Sequence, residues 1–208
     1  MWRETHSGNA LHPIALIYRA NVTINYRDHS QQDLIRSLLE YSRAGNQTLV
    51  TETMDLQAII RAVTLNLDRM VHRAHATIDC GPMPSITGDP MNISRLFQNL
   101  IANALKFRSK DRPCVVTVRA VESEREWIFS VADTGIGIRS EDFDRIFRIF
   151  QRLHGVGEYT GNGIGLAACK KIVERHHGRI WVESQLGVGT TFLFSVPKEA
   201  AGITGKPT

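Results

Sequence analysis

The chain has 208 residues, with 25 Lys and Arg against 21 Asp and Glu, a formal net charge of +4. A composition of 42% hydrophobic and 22% charged residues is that of a globular protein and excludes a wholly disordered one. No apolar run reaches the ~18 residues of a membrane span, and the first thirty residues do not read as a secretory signal. The mild basic excess suits an anionic ligand as well as nucleic acid, and by itself it does not argue for nucleic acid. Cys80, Cys114 and Cys169 are odd in number, far apart and form no CxxC pair. They are expected to be buried thiols in a reducing cytoplasm.

The first predicted element is an amphipathic helix over 28–43, where Leu34, Leu38 and Tyr41 recur at three to four residues beside Ile35 and Leu39. A lone helix of this size is marginal in water, so its stripe must pack on something. A short strand is expected over 50–53. A helix is expected over 55–73, with Asp55 as N-cap and Leu56, Ile59, Ile60, Val63 and Leu67 on one side. Strands follow at 76–79 and 85–88. Asp89-Pro90 then reads as a capping carboxylate with proline at the first helical position, opening a helix that runs to Phe107. Strands over 115–121 and 127–132 are joined by a charged turn. A helix over 165–176 and strands over 179–184 and 190–196 complete the pattern. This interleaving predicts a mixed sheet with helices packed on one face. The tail, residues 198–208, is expected to fray.

Four clusters carry chemistry. Asn99, Asn103 and Lys106 lie along one side of the 89–107 helix. Asparagine is a poor residue for a helix interior, so polar groups facing one way are aimed at something. Their amide oxygens suit Mg²⁺, and Lys106 suits a phosphate; a solvated helix edge is the plain alternative. The run Asp133-Thr-Gly135-Ile-Gly137 follows directly on a strand, so a carboxylate at the strand end can accept from a purine amino group. An ordinary glycine turn is the alternative there. Phe143, Phe147 and Phe150 take helical spacing, as do Arg145, Arg148 and Arg152. That predicts an amphipathic helix docked by its Phe face, with a basic face for polyphosphate. Finally Gly161-Asn-Gly163-Ile-Gly165-Leu166 opens a helix, and free N–H groups at a helix start bind anions. It is neither GxGxxG after a strand nor a P-loop. Residues 154–162 are expected to form a lid over the phosphates.

In this order, followed by the turn Gly187-Val188-Gly189-Thr190, the clusters resemble the N, G1, F and G2 boxes of the catalytic ATP-binding domain of bacterial sensor histidine kinases. That domain belongs to the clan shared with gyrase and the mismatch-repair ATPases. Phe150-Gln-Arg-Leu-His154, Ile164-Gly-Leu and Arg179-Ile-Trp-Val-Glu-Ser184 look most like the phytochrome-type or PAS-linked subgroup. The resemblance implies a two-layer α/β sandwich of the Bergerat type, a mixed sheet of about five strands with three helices on one face. It divides the chain into a 1–47 segment with a remnant of a dimerisation hairpin, a 48–197 ATP-binding domain and the tail.

The resemblance also implies roles. Asn103 corresponds to the Mg²⁺ ligand and Asn99 to its partner. Lys106 contacts phosphate, and Asp133 accepts from the adenine amino group. Gly135 and Gly137 meet the nucleotide, and Gly161, Gly163 and Gly165 cradle phosphate. Arg152 and Leu166 join the nucleotide site, and Thr190 puts a hydroxyl near the adenine. The implied activity is transfer of the ATP γ-phosphoryl group to a histidine. The implied partners are a response regulator or phosphoacceptor domain and a second copy through the N-terminal helix.

Two departures stand out. Asn162 stands where the family commonly has Thr. No phosphoacceptor is identified: His12 is followed at once by Pro13, and His29 falls on the helix that resembles the hairpin's second arm. A nucleotide-binding or dimerisation module without transfer of its own therefore stays open, as does an α/β domain whose glycines are structural.

Overall fold

The computed structural model describes residues 49–153 and 162–198, together with Ile35, Leu38, Leu39 and Tyr41. Strand β1 (Glu52–Asp55) leads into helix α1 (Leu56–Asn66) and helix α2 (Asp68–Ala74). Strands β2 (Thr77–Cys80) and β3 (Ser85–Gly88) precede helix α3 (Pro90–Lys106). Strands β4 (Val115–Glu122) and β5 (Glu126–Asp133), helix α4 (Gly165–Arg175), and strands β6 (Ile180–Gln185) and β7 (Gly189–Pro197) follow.

Five strands form one sheet in the order β2-β4-β5-β7-β6, and β1 pairs with β3 in a separate antiparallel ribbon. Strand β2 runs parallel to β4 and every other neighbour is antiparallel, so the sheet is mixed. Helices and sheet enclose one core, the α/β sandwich expected. At its centre the Phe97 ring of α3 meets Phe129 of β5 edge-on at 6.2 Å and Phe194 of β7 at 5.5 Å. Phe129 and Phe194 are register partners and stack at 5.1 Å. All three are fully buried, so truncating any of them costs about 3–5 kcal/mol.

Local chemistry sets the helix starts. Asp55 Oδ1 accepts from Gln57 N at 2.8 Å, and Asp89 Oδ1 accepts from Asn92 N at 3.0 Å with Pro90 behind it. The expected 55–73 helix is two helices. Leu67 sits at φ −95°, ψ 5°, outside helical geometry, because its N–H is shared between Val63 O and Thr64 O and Met70 N tightens back onto Leu67 O. The first strand lies two residues later than expected, where its register with β3 puts Met54 opposite Ile86, both buried.

The helix expected through Phe143–Arg152 does not form. A 3₁₀ turn at Ser140–Asp142 leads into a run of turns. Phe150, at φ +63°, donates its N–H to Gly163 O at 2.9 Å instead of continuing a helix. Phe143 and Phe147 do pack against the core, Phe147 edge-on to Phe192 at 6.4 Å, but Phe150 is exposed.

Helices α3 and α4 are tied at one end by His176. Its Nε2 accepts from Asp89 N at 3.0 Å, so its proton is on Nδ1, which donates to Ile172 O at 2.8 Å. Both ring nitrogens are spent in the neutral form, and burial pushes the His176 pKa down.

Of the predicted 28–43 helix, Ile35, Leu38, Leu39 and Tyr41 are helical, the first three exposed, and the Lys171 ammonium of α4 lies 4.4 Å from the Tyr41 ring centre. His12, His29, most of residues 154–162 and the tail beyond Lys198 lie outside the described residues.

Candidate nucleotide site

The other end of the α3–α4 pair opens into a cavity of about 260 Å³. Asn99, Asn103, Lys106 and Phe107 line it from α3, Asp133 and Thr190 from the sheet, and Gly163, Gly165 and Leu166 from the start of α4. Ile136, Ile138, Ile146, Ile164, Leu153 and Phe192 supply an apolar wall. Gly137, Gln151, Arg152 and Asn162 complete it. An apolar slot with a few fixed polar groups is the form of a small-molecule site.

Part of the lining is built around a carboxylate. Asp133 Oδ1 accepts from Gly135 N at 2.7 Å and from Thr190 N at 3.3 Å. Among the described residues no hydrogen bond falls on Oδ2, which is left for a ligand donor. Burial pushes the Asp133 pKa up to about 6, against the two backbone donors that favour the charged form. Behind it Ser184 Oγ accepts from Ile138 N at 2.8 Å, lies 2.7 Å from Gly189 O and 3.0 Å from Thr190 Oγ1.

The loop after β5 needs its glycines for close approach. A Cβ on Gly135 would stand 2.4 Å from Phe107 O, which already accepts from Ile136 N at 3.0 Å. Gly137 has φ +74°, and a Cβ there would stand 2.1 Å from Gln185 O. These contacts clamp the loop between the end of α3 and the β6–β7 turn. Arg112 Nη2 adds a donor to Gly135 O at 2.7 Å.

The lining is also cationic and rich in amides. Lys106 shares the cavity with Arg152, and burial followed by the Arg152 charge lowers its pKa to about 8. The negative charge of a phosphate would offset both effects. Gly165 begins α4 with no side-chain cap, so the first-turn N–H groups face the cavity end uncapped. A Cβ on Gly165 would lie 3.5 Å from Asn99 Oδ1, which measures how near α4 comes to the asparagine row. Beneath it the buried Cys169 thiol, its pKa pushed up to about 12 by burial, lies 4.0 Å from Leu96 O. Asn103 and Asn99 offer hard amide oxygens to a cation. Among the described residues no group of three or more His, Cys, Asp or Glu is placed to hold a metal.

Ten of the residues expected at the site thus line one cavity: Asn99, Asn103, Lys106, Asp133, Gly137, Arg152, Gly163, Gly165, Leu166 and Thr190. Gly135 sits beside it, bonded to Asp133. Gly161 lies outside the described residues. Sequence reasoning missed Ser184, Arg112, Gln151 and the Phe107 carbonyl. Ser184 was within the motif Trp181-Val-Glu-Ser184, and its alternation with Val182 put it on the cavity side of β6; the others act through backbone atoms or loop placement that residue type does not signal.

Comparisons with known proteins identify the family. Cyanobacterial phytochrome A of Nostoc sp. (strain PCC 7120 / SAG 25.82 / UTEX 2576) is 46% identical over 166 residues, 80% of this chain and 22% of that protein. The adaptive-response sensory kinase SasA of Prochlorococcus marinus (strain AS9601) is 36% identical over 79% of this chain and 45% of its own length. The chain therefore spans about a fifth of the phytochrome and under half of the kinase. Among solved structures, full-length ShkA in complex with AMPPNP superimposes with a TM-score of 0.70 at 26% identity, over 88% of this chain and 40% of that one. The catalytic domain of histidine kinase ThkA shares the fold, with a TM-score of 0.61 over 71% of this chain and 97% of that one. Residues 88–200, more than half of the sequence, match the histidine kinase-, DNA gyrase B- and HSP90-like ATPase domain and contain every described polar group of the cavity; the chain belongs to that family.

Proposed function

We propose that this chain is the ATP·Mg²⁺-binding catalytic domain of a two-component sensor histidine kinase, passing the γ-phosphoryl group of ATP to a histidine outside the described residues. One observation carries the reading. A single cavity is lined by a carboxylate with one oxygen open to a donor and by a lysine, an arginine, two asparagine amides and an uncapped helix start. That polarity fits a purine at Asp133 and a triphosphate toward Lys106 and Gly165. That ShkA, a structure of similar fold, was solved in complex with AMPPNP supports an adenine nucleotide as the ligand.

Each residue then has a task. Asp133 Oδ2 accepts from the 6-amino group of adenine. The apolar wall of Ile136, Ile138, Ile146 and Phe192 holds the ring and keeps water out. Lys106 and the first-turn amides of α4 hold phosphate oxygens and fix the γ-phosphorus so that a histidine nitrogen can attack it opposite the leaving oxygen of ADP, which in-line transfer requires. The donor set fits Mg²⁺ in type. Asn103 and Asn99 give neutral oxygens and no carboxylate, so the metal would be held jointly with the phosphates it neutralises.

The phytochrome and SasA likenesses support transfer to histidine and a response regulator downstream, and ThkA has been solved in complex with response regulator protein TrrA. Pairing with a second copy through the N-terminal helix fits the exposed Ile35, Leu38 and Leu39. Cytoplasmic placement fits three free thiols, and among the described residues no helix is long and apolar enough to cross a membrane.

The test is incubation of the purified chain with γ-labelled ATP, Mg²⁺ and a separate histidine-bearing helical hairpin of a sensor histidine kinase. Acid-labile, base-stable label on the hairpin is the expected result. Nucleotide binding without label would leave a binding module in place of a kinase.

A further inference from the structure

Ser184 lies behind the cavity wall, and its hydrogen bonds can be counted proton by proton. Its hydroxyl has one hydrogen and two lone pairs. Ile138 N, at 2.8 Å, can only donate to it. Gly189 O, at 2.7 Å, can only accept, so it takes the Ser184 proton. Turning that proton to Thr190 instead would leave two bare oxygens 2.7 Å apart. The third neighbour, Thr190 Oγ1 at 3.0 Å, must therefore be the donor, and it gives its only proton to Ser184. The Thr190 hydroxyl retains lone pairs and no hydrogen for anything else.

Thr190 lines the cavity, and it is the register partner of Asp133 on the neighbouring strand, with its own N–H on Asp133 Oδ1. The two groups together can accept hydrogen bonds and cannot donate one. In direct contact, adjacent acceptors favour a 6-position that carries an amino group and disfavour one that carries a carbonyl oxygen. Asp133 at neutral pH supplies part of this. The hydroxyl supplies the rest only while its proton is held elsewhere.

We propose that Ser184 is a specificity-determining positioning residue: by taking the Thr190 proton it makes the purine end of the cavity acceptor-only, and so discriminates 6-amino from 6-oxo purine nucleotides. It does not touch the ligand and acts through Thr190. The inference rests on the nucleotide-binding reading above. Without Ser184 the Thr190 hydroxyl is free to turn and donate to a 6-oxo group, which removes the penalty on such nucleotides.

The experiment compares ATP with inosine triphosphate by calorimetric titration in four proteins: wild type, Ser184→Ala, Thr190→Val and the double variant. Wild type is expected to prefer ATP. Ser184→Ala is expected to shrink the ATP-to-inosine preference about tenfold, the scale of one hydrogen bond gained by the wrong base, chiefly by tighter inosine triphosphate binding. In the Thr190→Val background, where no hydroxyl remains to turn, the same change is expected to leave the preference where it was. Ser184→Thr, which keeps the hydroxyl, is expected to restore the wild-type ratio. An unchanged ratio in Ser184→Ala overturns the proposal. So does an equal shift in the valine background, which would mean that Ser184 only holds the loop. Wild type that binds neither nucleotide overturns the nucleotide reading and this proposal together, whereas wild type that binds ATP keeps the two separable.

Discussion

Asp133 and Thr190 are register partners on β5 and β7, and the Thr190 N–H donates to Asp133 Oδ1 at 3.3 Å. The acceptor of the cavity is therefore set by a strand ladder and not by a loop. A shift of one residue in that pairing would turn every side chain of the strand to the other face. The core aromatics Phe129 and Phe194, four residues along the same ladder, hold it against that slip.

Asp133→Asn is expected to weaken ATP binding by about 2 to 3 kcal/mol, because a charged acceptor is replaced by a group that can present a donor to adenine's amino group. The same change is expected to stabilise the empty protein at neutral pH. The folded pKa of about 6 lies above the model-compound value of 3.8, so the native state holds its proton more tightly. Wild type thus loses stability as pH rises through that window and stays penalised above it. Denaturant unfolding at pH 7.5 should show the variant more stable while calorimetry shows it binding worse. Unchanged ATP affinity would refute the role of Asp133.

Asn103→Ala is expected to separate the metal from the purine. Adenosine binding should persist, since Asp133 and the apolar wall are untouched. The gain in ATP affinity on adding Mg²⁺ should fall about tenfold or more, and labelling of a supplied hairpin should fall with it. Titrations with and without Mg²⁺ check this, and an undiminished Mg²⁺ effect would remove Asn103 from the metal site.

His176 gives stability an acid limit. Its folded pKa is lowered below 6.5, so the unfolded chain takes up the proton first. Stability is then complete above pH about 6.5 and lost as pH falls through the folded value. Protonation would also turn the acceptor of the Asp89 N–H into a donor. His176→Gln keeps an acceptor and does not titrate, so between pH 7 and 5 it should lose less stability than wild type. Equal slopes in thermal melts of the two proteins would show that His176 does not titrate in this range.

Gly137→Ala is expected to cost at least about 1 to 3 kcal/mol, from a positive φ that alanine resists and from the collision with the Gln185 carbonyl. Because that contact joins the β5 loop to the β6–β7 turn, nucleotide affinity should fall as well. Gly187, with a positive φ but nothing within 4 Å of its would-be Cβ, is the control. Gly187→Ala should cost only the backbone term and leave binding nearly intact.

Much of this site was legible because polar residues at helical spacing on apolar helices, and carboxylates at strand ends, announce themselves. Asn99, Asn103 and Lys106 could be placed on one face from the 3.6-residue period alone, and Asp89-Pro90 marked the start of α3. The aromatic run at 143–150 misled because its spacing was helical while its backbone is not. The hydrogen bond from Phe150 N to Gly163 O, thirteen residues away, decides that geometry, and no local pattern encodes it. The break at Leu67 was hidden for a similar reason, since nothing in the residues around it is a helix breaker. Ser184 was quoted within a motif yet given no task, because its role depends on who owns a single proton.

The His176 clasp joins the first turn of α3 to the last turn of α4, while Asn103, Lys106 and Gly165 lie at the opposite ends of the same two helices. The pair has the build of tongs riveted at the far end. The rivet consists of two hydrogen bonds on one neutral ring, and neither His176 nor Asp89 lines the cavity. A molecule entering between the tips acts at the long arm of this lever, so a small change of spacing there demands almost no displacement at the clasp. The clasp and the cavity are thus separated by the length of both helices, with the packing around Phe97 between them.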